Sequence, residues 1–160
     1  MRVALLGARE AAPALAGALR DRGVEVVTAD ATRALAPVEA VLRWRAIEPG
    51  LTAIPPALRA ASGADLAHAF TLATAHAAAG AGTPLVLTFS TPVSRENVAA
   101  RRLRLKFLKT ALEAAAAVTV PDEQIAEGVE RWLGVRPRVL DPARDADGFA
   151  ALYDEVISRR

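Results

Sequence analysis

The 160-residue chain contains no cysteine, which excludes disulfides, thiol catalysis and cysteine-ligated zinc. Aromatic residues make up 4% of it, too few for the stacking platforms on which single-stranded nucleic acids are held. It has only two lysines, Lys106 and Lys109, and its 20 basic residues nearly balance 18 acidic ones for a formal net charge of +2. So even a balance gives no electrostatic footprint for nucleic acid, and no such partner is expected. No stretch approaches the roughly 18 uninterrupted apolar residues of a membrane span. The apolar N-terminus, Met1 to Gly7, is too short for a signal peptide and reads as a strand, so a cytoplasmic location is expected.

What is present is a 52% hydrophobic chain of a length that fits one domain, residues 1–160, with a core of its own. Arg2 to Leu6 is a short continuous apolar run, Glu10 to Asp21 an alanine-rich helix ending near Gly23, and Val24 to Thr28 a second strand. A strand, a helix of about 12 residues and another strand form a βαβ unit, whose right-handed crossover makes the strands parallel. Residues 37–56 are open between helix and strand, and Pro55 and Pro56 break whatever precedes them. Helices are then expected at Leu58 to Ala61, Leu72 to Ala81, Arg95 to Ala115, Asp122 to Leu133 and Asp145 to Ser158. Strands are expected between them at Asp65 to Phe70, Pro84 to Phe89, Ala117 to Val120 and Pro137 to Leu140. This alternation predicts an α/β fold, a three-layer Rossmann-like sandwich around an open, mostly parallel sheet.

Ligands of open α/β sheets bind beyond the carboxyl ends of the strands. Gly7, Arg9, His68, Ser90 and Thr91 follow or end predicted strands there and are the ligand-crevice candidates. Gly7 is the one glycine of a dinucleotide-binding Gly-x-Gly-x-x-Gly turn, and a lone glycine more often serves the tight strand-to-helix turn. His68 and His76 lie eight residues apart with no accompanying carboxylate motif, so no metal site is expected. The bland reading of His68 is a half-buried strand residue bonded to a backbone carbonyl. Ser90 has no Gly-x-Ser-x-Gly elbow to make it a nucleophile. No catalytic residue is assigned and no cofactor is expected.

On the long helix Arg95 to Ala115, the residues Arg95, Arg102, Lys106 and Lys109 form a basic ridge. Val98, Leu105, Leu108 and Leu112 flank it on one side, Leu103 and Phe107 on the other. Such a helix could rest on an anionic membrane with its cations at the phosphates. The plainer reading packs one flank on the sheet and one on a neighbouring helix, and leaves the ridge in water.

Three segments, Ala64-Asp65-Leu66-Ala67-His68-Ala69-Phe70, Pro84-Leu85-Val86-Leu87-Thr88-Phe89-Ser90-Thr91 and Ala116-Ala117-Val118-Thr119-Val120-Pro121, together resemble the acceptor-side domain of family 4 glycosyltransferases. The first matches that family's Asp-Leu-Val-His-x-His, with Phe70 at the second histidine. The second matches Val-x-Thr-Phe-His, with Ser90 where the family's histidine faces the reacting sugar and phosphate. Ala8-Arg9-Glu10 stands where the family commonly has a Gly-Gly loop. The terminal segment, 145–158, is similar to the helix that returns to this domain after the family's second, nucleotide-sugar-binding domain, whose Glu-x7-Glu pattern has no match here.

The resemblance implies one half of a GT-B type architecture. It further implies a stand-alone acceptor domain, inactive by itself, serving as a binding or accessory subunit with a catalytic partner chain that supplies the nucleotide-sugar half. The alternative is an α/β module that forms a homodimer or docks a protein partner and has no part in sugar transfer.

Overall fold

The computed structural model describes residues 1–7, 12–29, 51–94, 96 and 102–159. Its elements, in chain order, are β1 (Arg2–Leu6), α1 (Ala12–Asp21), β2 (Glu25–Ala29), a 3-10 turn (Leu51–Ala53), α2 (Ile54–Ser62), β3 (Leu66–Ala69) and α3 (Leu72–Ala81). There follow β4 (Leu85–Thr88), α4 (Arg102–Ala114), β5 (Ala115–Val120), α5 (Glu123–Leu133), β6 (Arg138–Val139) and α6 (Ala146–Ser158). The six strands form one sheet in the order β2-β1-β3-β4-β5-β6. Every neighbouring pair is parallel. The expected α/β sandwich is therefore present, and its described sheet is wholly parallel.

The alternation of side chains along each strand separates the two faces. Ala4 and Leu6, Ala67 and Ala69, and Leu85 and Leu87 join the core beneath α2, α3 and α4. Val3, Leu5, Leu66 and Val86 join the other core, with Leu15 and Leu19 of α1 and Phe149, Leu152, Tyr153 and Val156 of α6. Both faces are covered, as a parallel sheet requires. A third cluster sets Ile125, Ala126 and Val129 of α5 on Val118 and Val120 of β5.

Local sequence accounts for the helix ends near the site. Pro55 and Pro56 lie in the first turn of α2, where a missing N–H costs no helical bond. They start that helix, four residues ahead of the expected Leu58. Thr71 caps α3, its hydroxyl accepting from the Thr74 amide at 3.2 Å. Asp122 caps α5 through the Ile125 amide at 2.8 Å. Helix α3 lies between α2 and α4 and buries Leu72, Ala73, Thr74, Ala75, Ala77 and Ala78. Small side chains on nearly every side let three helices share one face of a narrow sheet.

Candidate functional site

Strand order reverses direction at β1, which has β2 on one side and β3 on the other, so the crevice of the fold opens past the carboxyl ends of β1, β3 and β4. A pocket of about 210 Å³ lies at the ends of β3 and β4, lined by Phe70, Thr71 and Leu72, by Leu87 through Thr91, and by Arg104 of α4. A small apolar notch with walls including Pro92, Val93, Leu108 and Leu133 adjoins it and shares Leu72, Phe89, Thr91 and Arg104.

The polar groups of the lining divide into committed and free. Thr71 Oγ1 is engaged by the Thr74 amide and by Thr74 Oγ1 at 2.9 Å. Thr88 Oγ1 lies 2.6 Å from His68 Nε2 and 2.5 Å from Thr119 Oγ1. Ser90 and Thr91 are exposed and Arg104 is half-buried. None of these three side chains has a hydrogen-bond or ion-pair partner among the described residues. The lining therefore offers two free hydroxyls and one guanidinium, and among the described residues it contains no carboxylate and no imidazole.

The structure moves His68 out of the crevice. Its ring is fully buried, because residue 68 belongs to the half of β3 that faces α6, next to Leu66 and opposite Ala67 and Ala69. It bonds side chains rather than a backbone carbonyl. Nδ1 lies 2.6 Å from Tyr153 Oη, and Nε2 completes a chain through Thr88 to Thr119. Phe70 stacks on the imidazole at 4.2 Å and Phe149 lies 5.1 Å away. Burial pushes the His68 pKa down to about 3, and burial also raises that of the Tyr153 phenol. The ring is thus neutral at neutral pH, donating from one nitrogen and accepting at the other. Four groups with one proton each share three bonds, so one hydroxyl proton is left at an end of the chain, on Thr119 or on Tyr153. The signal in the sequence is the recurrence of polar residues at the same-facing positions 68, 88 and 119 of three otherwise apolar strands.

Gly7 stands apart from the pocket lining. Its φ is +74°, and a Cβ there would lie 3.1 Å from Thr74 Oγ1 and 3.2 Å from Thr71 Cγ2. It lets β1 end directly against the first turn of α3, with its amide bonded to Ala29 O at 2.8 Å. Arg9 and Arg95 lie outside the described residues, as does the Arg102 side chain. Lys106 and Lys109 are exposed, and Lys109 pairs with Glu113 at 3.8 Å. Phe107 and Leu108 are buried, leaving Leu105, 41% exposed, as the one flank residue in water among those described. Phe107 stacks on His76 at 4.6 Å. Of the flank residues described, Phe107, Leu108 and Leu112 pack into the core and Leu105 does not; Val98 and the Leu103 side chain lie outside the described residues. Arg104 escaped sequence reasoning because it belongs to neither ridge nor flank. At 100° per residue it lies about 200° round from Arg102, on the inward side with Leu108 and Ala111.

The family model for Glycosyltransferase Family 4 matches residues 7–147. The chain belongs to this family. The match runs from the end of β1 into the first turn of α6 and takes in the whole crevice. No curated protein matches the chain. A solved structure described as "Native KDPGal structure" aligns over 98% of this chain and 96% of its own, at 16% identity and a TM-score of 0.34. For the family 4 domain, the sheet is consistent with one half of a GT-B architecture. Ser90 opens on the pocket. Among the described residues, no group of three His, Cys, Asp or Glu side chains is placed to hold a metal, and no helix is long and apolar enough to cross a membrane.

Proposed function

We propose that this domain holds the acceptor side of a glycosyl transfer, binding the acceptor at the ends of β3 and β4 and performing no sugar transfer by itself. The observation that carries the reading is the chemistry of the lining. Ser90, Thr91 and Arg104 can hold and orient a ligand. A serine hydroxyl cannot carry a proton near neutral pH as imidazole does, and the nearest imidazole, His68, is buried behind Thr88 and kept neutral. A partner domain or chain supplies the nucleotide-sugar half, so that this polypeptide acts as a binding or accessory component. The family match over residues 7–147 supports a glycosyltransferase-like domain as the setting of this reading.

The test pairs binding with turnover. The purified chain is incubated with uridine- and guanosine-diphosphate hexoses and a panel of sugar acceptors, while amide resonances are followed by NMR. Shifts centred on Ser90, Thr91 and Arg104 without release of nucleoside diphosphate are expected. Acceptor-dependent release by the chain alone would overturn the inactive reading, and shifts centred elsewhere would overturn the site.

A further inference from the structure

We infer that the pocket recognises an acceptor bearing a phosphate group, with Arg104 and the first turn of α3 as its anion-binding elements. The inference rests on the acceptor-side reading and adds to it the charge of the ligand.

Three observations converge. Arg104 is half-buried on the inward side of α4, where solvation cannot replace a partner as fully as it does on the opposite ridge, yet it has no carboxylate among the described residues. Its neighbours on that side are Leu108 and Ala111, both in the core. A guanidinium held there presents N–H donors in a fixed fork suited to phosphate oxygens. Second, α3, ten residues long, opens on the pocket through Thr71 and Leu72, so the positive end of its dipole faces the ligand. Third, Ser90 and Thr91 add free hydroxyl donors, and no acidic side chain among the described residues lines the pocket to oppose an anion. The hydroxyls of Thr71 and Thr88 are spent on the protein itself, which leaves the ligand to Arg104, Ser90, Thr91 and the helix end. The volume, about 210 Å³, leaves room beside a phosphate for a small attached group, and the walls of Phe70, Leu72 and Phe89 offer that group apolar contact.

The experiment is calorimetric titration of the full chain with inorganic phosphate, a hexose 1-phosphate and a neutral methyl hexoside. Both phosphates should bind, and Arg104→Gln should weaken them at least tenfold while leaving the circular dichroism spectrum intact. Lys106→Gln, on the solvent side of the same helix, should change binding less than twofold. Should Arg104→Gln fail to fold, Ser90→Asp places a carboxylate at an exposed position of the mouth and should likewise weaken phosphate at least tenfold. A hexose phosphate bound tenfold more tightly than inorganic phosphate supports a phosphosugar; equal affinities support recognition of the phosphate alone. Binding of the neutral hexoside with none of either phosphate overturns the anion inference and leaves the acceptor reading standing. Phosphate binding unchanged in both variants overturns it as well.

Discussion

The Nδ1 atom of His68 lies 2.6 Å from the Tyr153 hydroxyl, so a residue of β3 is joined within the core to one 85 positions later on α6. Every bond in the chain from Tyr153 to Thr119 is formed where water does not reach, and the cost of breaking it is the cost of leaving a polar atom unpaired.

Tyr153→Phe removes a hydroxyl and keeps the ring. It leaves His68 Nδ1 without its partner, and a loss of about 1–3 kcal/mol is expected. Urea denaturation followed by far-ultraviolet circular dichroism measures it. A change within a few tenths of a kcal/mol would show that the hydroxyl is not engaged.

The neutral imidazole also sets a dependence on pH. His68 has a pKa of about 3 when folded against 6.5 for the free side chain, so between those values the unfolded chain binds a proton that the folded one refuses. Its contribution is fully present above pH 6.5 and is lost as pH falls toward 3, amounting to about 2–3 kcal/mol by pH 4.5. Denaturant midpoints recorded for the native protein and for His68→Leu should show this slope in the first and its loss in the second. Parallel pH profiles would refute the assignment.

Thr88 and Thr119 differ in what they hold. Thr88 Oγ1 contacts both His68 and Thr119, whereas Thr119 Oγ1 contacts only Thr88 among the described side chains. Thr88→Val should therefore cost about 2–3 kcal/mol and Thr119→Val about 1 kcal/mol, with the double variant costing less than the sum. A double-mutant cycle in urea measures the coupling, and an additive result would mean that the two hydroxyls are not bonded to each other.

Two glycines separate strain from crowding. Gly7 and Gly23 have similar angles, +74° and +77°, but a Cβ at Gly23 meets nothing within 4 Å, whereas one at Gly7 meets Thr71 and Thr74. Gly23→Ala should cost about 1 kcal/mol, and Gly7→Ala about 2 kcal/mol or more. Thermal melts of the two variants check the order, and equal losses would show that the threonines yield freely.

The alternation of strands and helices was legible because each strand is a short apolar run and each crossover a helix; α3 has the same limits in sequence and structure. The three matching segments led to the family. The start of α2 was not legible, since prolines read as breakers begin a helix when they occupy its first turn. Nor was the role of His68, because its two partners, Thr88 and Tyr153, come from distant segments, and only the register of β3 with β4 and the packing of α6 on the sheet bring them to it. Arg104 was hidden for a related reason. Its meaning depends on which side of α4 faces the strand ends, and a pattern of apolar residues on both flanks leaves that undetermined. Ser90 and Thr91 lie just beyond the end of β4, a position that was legible because it follows from topology and needs no side-chain partner.

Thr88 is both part of the pocket wall and a middle link between three strands and α6. The wall is consequently braced from behind the sheet, so that the surface offered to the proposed ligand is fixed before it arrives. Little ordering should accompany binding. The same bracing makes the crevice sensitive to changes it never touches: a substitution at Tyr153, on the far side of the sheet, would reach the ligand by releasing His68 and then Thr88.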